Sequence, residues 1–307
     1  MSHLSRRMFL AGGTFVALSA RPVQASHALR TVETSLGWVD IPAYPQRVLA
    51  VDSRISLEMA LALELPIIGY SHSPARPWVP VPDTVPMLTA PPDLEQILML
   101  QPDLILCPDS SPNSDWWPLT KLTSIAPVLP SSHLDRWQIN LHRLGEWLGK
   151  GAFVERRFNE HNVLIADMRK HHADALDSLR FAALYYDPTK RRAMVCSQGT
   201  GYGLVMPAQV LSELGGRDVG ADRLGPYGEV ALECFGDVFG DVDAMLLIDF
   251  GNDSARELSK EPLWQRLPAV REGRIHVLKG NCVFGSFYTA RYLAAGWRDL
   301  LTRRQMQ

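Results

Sequence analysis

The amino-acid sequence predicts an α/β protein made of two α/β lobes joined by a single long helix. Three observations carry that prediction. Short, continuously apolar runs alternate with segments of helical periodicity in both halves of the chain. A Leu-Glu helix start that leads into an apolar strand occurs once in each half. Between the halves runs a long polar segment carrying apolar stripes at helical spacing.

The first lobe is expected over residues 44–138. Residues 47–52 (RVLAVD) read as a strand, 55–63 as a helix, and 66–70 (PIIGY) as a second strand. A strand at 85–88, a helix at 94–100 and a strand at 103–107 (DLILC) continue the alternation. The strands are apolar throughout rather than every second residue, which suits a parallel sheet covered on both faces by helices. The connecting segment is expected over 139–176. Leu141, Leu144 and Leu148 form one stripe, interrupted by Gly149 and Gly151; Val154, Phe158, Ile165 and Met168 form a second. A helix from 152 to about 175 would extend roughly 36 Å, the width of a small domain.

The second lobe is expected over 177–307. Residues 181–186 and 192–197 read as strands, and 208–214 as a helix closed by Gly215-Gly216. Residues 244–250 (AMLLIDF) and 274–278 read as strands again. Asp93-Leu94-Glu95 leads to Pro102-Asp103-Leu104-Ile105, and Ala231-Leu232-Glu233 leads to Asp241 through Leu247, as if one βα unit were used twice.

Residues 1–25 read as an export signal rather than as fold. Arg6-Arg7 precede Phe9-Leu10, a short apolar stretch follows, and Val23-Gln24-Ala25 makes a small-residue cleavage site after Ala25. The paired arginines suggest twin-arginine export to the periplasm. Without residues 1–25 the Lys+Arg count falls from 31 to 28 against 33 Asp+Glu, a net charge of −5. Such a mildly acidic chain is a poor partner for nucleic acid, which needs a basic face. Cys107, Cys196, Cys234 and Cys282 show no CxxC spacing; buried thiols are expected, with a Cys196–Cys282 bridge left open. No GxSxG or HExxH motif points to hydrolysis, and no histidine cluster has metal-ligand spacing. Neither an enzyme nor a resident cofactor is expected.

Several landmarks, taken in order, carry a family resemblance. They are Pro45-Gln46-Arg47-Val48, Asp93-Leu94-Glu95 with Pro102-Asp103-Leu104-Ile105, Ile125-Ala126-Pro127-Val128, and the run from Pro262-Leu263-Trp264 to Glu272-Gly273-Arg274. Over about residues 44–301 the chain resembles the periplasmic binding proteins for iron–siderophores, haem and cobalamin, most nearly the ferric-hydroxamate binders. The resemblance implies a ferric siderophore held in the cleft between the lobes, the iron arriving inside its chelator. It also implies delivery by a monomer to an inner-membrane ABC permease with its ATPase. Haem or cobalamin on the same fold is the second reading, and a siderophore-processing enzyme the third.

Residue by residue the resemblance is uneven. Trp78, in Arg76-Pro77-Trp78-Val79, matches a cleft tryptophan. Tyr227 falls where those proteins present a tryptophan, and Phe284 where they present a tyrosine. Thr89 stands in place of a ligand-facing arginine, and Ser111 in place of a tyrosine, with Trp116 and Trp117 close behind. Conversely, Arg54 stands in place of an aromatic residue, so the charged contacts are rearranged toward a chelate with carboxylate groups. Arg76, Gln198 and Tyr202 are further cleft candidates by position. Glu95 and Glu233, at the paired helix starts, are the expected permease-docking residues, with Glu229 as the alternative in the second lobe. Early-turn glutamates also complement the helix dipole, which is the competing account of both.

Overall fold

A computed structural model describes residues 28–74, 76–109, 114–197, 204–218, 223–224, 228–251 and 253–302. The expected export signal, Ser111, Gln198, Tyr202 and Tyr227 lie outside the described residues.

The chain opens with a β-hairpin that the sequence reading did not foresee, β1 (Leu29–Thr34) paired antiparallel to β2 (Gly37–Pro42). Only Val32 and Ile41 of these strands are buried, so the apolar signal is thin. The hairpin is pinned by polar contacts: Arg30 donates to the carbonyls of Glu146 and Trp147, and the Trp147 indole N–H donates to the Glu33 carbonyl.

The first lobe follows: β3 (Val48–Ala50), α1 (Ser56–Ala62), β4 (Ile67–Tyr70), α2 (Leu94–Leu100), β5 (Leu104–Pro108), α3 (Leu119–Leu122) and β6 (Val128–Ser131). The four strands form one parallel sheet in the order β4-β3-β5-β6. All residues of β3 and β5 are buried, as continuous apolar runs require. The strand expected at 85–88 shrinks to a single bridge between Tyr70 and Met87, because Pro86 has no N–H to extend the ladder.

Two helices lead to the second lobe, α4 (Trp137–Trp147) and α5 (Gly151–Ser178). At 28 residues α5 is longer than expected, about 42 Å at the helical rise. It is kinked at His172, whose φ/ψ of −124°/20° is not helical. Val154, His161, Ile165, Met168, His172 and Leu176 form its buried face.

The second lobe runs β7 (Arg180–Asp187), β8 (Arg192–Val195), α6 (Met206–Leu214), β9 (Arg217–Asp218), β10 (Glu229–Ala231), a 3-10 turn (Leu232–Cys234), α7 (Phe235–Phe239), β11 (Ala244–Asp249), three short helices, β12 (Ile275–Lys279) and α11 (Phe287–Thr302). The short helices are α8 (Ser254–Ser259), α9 (Pro262–Gln265) and α10 (Pro268–Arg271). The sheet order is β10-β8-β7-β11-β12, with β9 beside β7. This sheet is mixed rather than all parallel: β8 runs antiparallel to β7 and β10. A short loop after Asp187 folds β8 straight back, and an apolar run does not reveal its direction.

One hydrophobic cluster spans the molecule. It starts in the first lobe at Val48, Ile55, Met59 and Leu104, crosses α4 and α5 at Trp137, Leu141, Ile165 and Met168, and ends in the second lobe at Phe181, Leu246, Leu293 and Trp297. All four cysteines are free thiols, which settles the open bridge. Cys107, Cys196 and Cys282 are buried, and burial pushes the Cys282 thiol up to about 12. Cys234 departs from the expectation and is exposed.

Candidate functional site

In the first lobe the polypeptide leaves the carboxyl ends of β3, β4, β5 and β6 on one edge of the parallel sheet, where open α/β sheets bind ligands. Each exit supplies a side chain. Asp52 and Arg54 follow β3, His72 follows β4, Trp116 and Trp117 lie in the connection after β5, and His133 follows β6. From the second lobe Phe284 comes up after β12, just before α11.

Asp52 is fully buried and organises the group. One carboxylate oxygen accepts the Arg54 Nε–H at 2.9 Å, and the other accepts the Ile55 backbone N–H at 2.8 Å as the chain turns into α1. Burial alone would raise its pKa, but Arg54, His133, His72 and the Ile55 N–H together outweigh it and hold the carboxyl well below the usual range. Asp52 is therefore a carboxylate at neutral pH and cancels the Arg54 charge locally. Arg54 Nη2 lies 3.2 Å from His133 Nε2, while Nη1 has no hydrogen-bond partner among the described residues.

Aromatic rings surround this cation. The Arg54 guanidinium carbon is 5.7 Å from the Trp117 ring centroid and 5.4 Å from that of Phe284, one ring from each lobe. His72 stacks on Trp117 at 6.1 Å and 9°, with Trp116 tilted beside it at 5.5 Å. His133 meets Phe284 edge-on at 5.0 Å and Trp117 at 5.4 Å. The backbone of His72 has φ of 90°, a conformation uncommon outside glycine. Burial lowers the pKa of both histidines, His133 to about 4, so both are neutral at pH 7. The result is an aromatic wall around one largely buried guanidinium and two neutral imidazoles, with no net charge.

The structure thus brings Arg54, Trp116, Trp117 and Phe284 together, and adds Asp52, His72 and His133, which sequence reasoning missed. Their common signal was position: each is one to three residues past a strand end. Trp78 and Arg76 are used differently. The Trp78 ring stacks on Tyr292 of α11 at 3.9 Å and 4°, its N–H donates to the Thr289 hydroxyl, and Gly280 packs against its edge. It binds the two lobes to each other. Arg76 is a correction. Its guanidinium is buried and donates to Glu58 of α1 at 2.5 Å, so it faces the interior of the lobe contact rather than a ligand. Glu58 is also fully buried, and accepts from the Ser286 and Thr289 N–H groups at 2.8 and 2.9 Å and from the Thr289 hydroxyl. Burial pushes the Glu58 carboxyl up, yet every partner is a donor, so the surroundings fit its ionised form.

Thr89 is exposed, and its N–H and hydroxyl engage Gln96. Glu95 and Glu233 are exposed, and neither is within ion-pair distance of a cation among the described residues. Glu95 shares its face of α2 with the exposed Leu98 and Met99. Its own N–H is capped by Asp93, whereas no side chain caps the turn holding Glu233, so the helices of the two repeats start differently. Glu229 is 3.6 Å from Arg192.

Comparison with known proteins agrees with this architecture. A family model described as periplasmic binding protein matches residues 54–281. Among solved structures, a periplasmic solute binding protein from Mycobacterium smegmatis superposes with a TM-score of 0.74 at 18% identity, covering 90% of this chain and 98% of its own. FhuD from Vibrio cholerae, a siderophore binding protein bound to Fe3+-Desferal, gives 0.67 at 20% identity, covering 83% and 97%. SirA from Staphylococcus aureus, complexed with staphyloferrin B, gives 0.68 at 17%, covering 89% and 98%. No curated protein sequence matches the chain. With more than half of its length matched, the chain belongs to the periplasmic binding protein family, whose members bind a solute and do not transform it.

Proposed function

We propose that the protein captures a ferric siderophore in the cleft between its lobes and hands it to an ABC permease. The observation that carries this reading is the Arg54 guanidinium, set between Trp117 of the first lobe and Phe284 of the second. A ferric siderophore is a bulky chelate with large apolar faces and oxygen-rich edges. Flat rings suit the faces, and the open Nη1 of Arg54 suits an anionic oxygen on the edge. Because Asp52 already neutralises Arg54, the pocket suits a chelate of low net charge that presents one or two carboxylate or phenolate oxygens. The siderophores in the names of FhuD and SirA agree with the class.

The test is titration of tryptophan fluorescence with ferric siderophores, haem and cobalamin. Saturable quenching by a ferric siderophore that is lost in Trp117→Phe supports the reading. Saturation by haem or cobalamin alone overturns it. We assign Glu95 and Glu233 to permease docking, one from each lobe, and the Leu98–Met99 stripe beside Glu95 supplies apolar area to such a contact. No helix among the described residues is long and apolar enough to cross a membrane. The Arg6-Arg7 pair supports twin-arginine export. Replacing both by lysine should leave precursor in the cytoplasm, and normal delivery of that variant would leave the general secretory route.

A further inference from the structure

The buried carboxylate of Glu58 reaches from one lobe into the other. Glu58 lies on α1, four residues after Arg54. Its acceptor oxygens take the backbone N–H groups of Ser286 and Thr289, which open α11 two and five residues after Phe284. A first-lobe side chain therefore serves as the N-terminal cap of a sixteen-residue helix of the second lobe. Arg76, from the loop after β4, clamps the same carboxylate from the first-lobe side. The Thr289 hydroxyl links the two arms, donating to Glu58 while accepting from Trp78. Glu58, Arg76, Ser286 and Thr289 are all buried, so water does not compete for the contacts of the carboxylate; the Trp78 contact at their edge is part-buried.

We infer that Glu58 is a positioning residue for the cleft: by tying α1 to the start of α11 it fixes the separation of Arg54 and Phe284. The inference rests on the proposed chelate site, since Arg54 and Phe284 are the two walls whose spacing it sets. Without the cap, the lobes keep their individual folds and the spacing becomes a distribution. If one molecule in ten retains the competent spacing, apparent chelate affinity falls about tenfold although no contact to the ligand has been removed.

The experiment uses the chain's own thiols. Cys234 is exposed in the second lobe while Cys107, Cys196 and Cys282 are buried. One added cysteine, Met99→Cys, on the exposed face of α2 in the first lobe therefore gives a pair of spin labels, one per lobe. Their distance distribution is measured without ligand in the Glu58 protein, in Glu58→Gln, in Glu58→Ala and in Thr289→Ser. Expected are a narrow distribution for the parent and Thr289→Ser, and a broader or displaced one for both Glu58 variants at a temperature where circular dichroism shows them folded. Ferric-siderophore affinity should weaken about tenfold in step. If Glu58→Ala does not fold, Glu58→Gln, which keeps the shape, decides the matter. Unchanged distributions with only a lower melting temperature would mean that Glu58 merely stabilises, and the inference falls. Broadening with wild-type affinity overturns the link to the cleft. If the parent binds no ferric chelate at all, the proposed function fails, and the distances still decide whether Glu58 sets the lobe spacing.

Discussion

Removing the guanidinium from the cleft should cost the protein stability before any ligand is added. Arg54→Gln leaves Asp52 fully buried with the Ile55 N–H as its one hydrogen-bond donor within the turn, since the Arg54 side chain is itself only 11% exposed. Breaking a buried pair by deleting one partner costs about 3–5 kcal/mol; with the Ile55 bond intact, about 3 kcal/mol is expected at pH 7. For a chain of this size that lowers the melting temperature by about 5 °C. The pH dependence identifies the cause. The Asp52 pKa is depressed in the folded protein, so its contribution is present above the unfolded value, near 3.9, and is lost as pH falls toward the folded value. In Arg54→Gln burial is no longer outweighed, so Asp52 protonates at higher pH. Urea unfolding should therefore show the gap between the two proteins narrowing by about 1–2 kcal/mol between pH 7 and pH 3. The partner variant Asp52→Asn completes a double-mutant cycle, with a coupling of about 2 kcal/mol expected. An Arg54→Gln protein that melts within 2 °C of wild type at pH 7, or a gap that does not move with pH, would falsify the account of Asp52 as an ionised anchor.

Other outcomes follow from the same geometry. Trp117→Ala and Phe284→Ala should each weaken ferric-siderophore binding by about 1–3 kcal/mol with folding retained, as calorimetric titration would show; wild-type affinity in both places the site elsewhere. Burial keeps the His133 pKa near 4, and an anionic chelate beside it must raise that value. The bound state then holds more protons, so affinity for a carboxylate siderophore should rise as pH falls from 7 toward 5, and His133→Gln should flatten the slope. An equally steep slope in the variant excludes His133 as its source. Glu95→Ala combined with Glu233→Ala should leave solution affinity unchanged but sharply reduce chelate uptake by cells. Intact uptake with a slightly lower melting temperature would instead return both residues to the helix-dipole role.

How much of this was legible beforehand depended on which interactions are local. Burial on both faces imprints continuous apolar runs, so β3, β4, β5, β7 and β11 stood out. Strand direction leaves no such imprint: β8 was expected as a strand but not as an antiparallel one, and β10 was missed. The opening hairpin is held by Arg30 and Trp147, more than a hundred residues apart, a contact no window of sequence displays. The site divides in the same way. Arg54, Trp117 and Phe284 could be named from the family resemblance. Asp52 and the two histidines become significant only when β3, β4 and β6 lie side by side. Arg76 was expected beside Trp78 in the cleft, because nothing in its neighbourhood announces Glu58 eighteen residues earlier as its partner.

The place of α11 in the molecule constrains the order of events in synthesis. This helix, Phe287–Thr302, touches α1 in the first lobe, α5 in the connection, and α6, β11 and β12 in the second. Trp297, Leu293 and Ala290 fill the shared cluster, and the helix start receives Glu58. The cluster shared by the lobes cannot close while those residues are still inside the ribosomal tunnel, whereas the clusters around Ile105 and around Phe235 contain none of them. In the nascent chain the local clusters can therefore form early, and the shared one waits until α11 has been translated. A polypeptide interrupted before Phe287 is left with that shared cluster open on both sides of the connection.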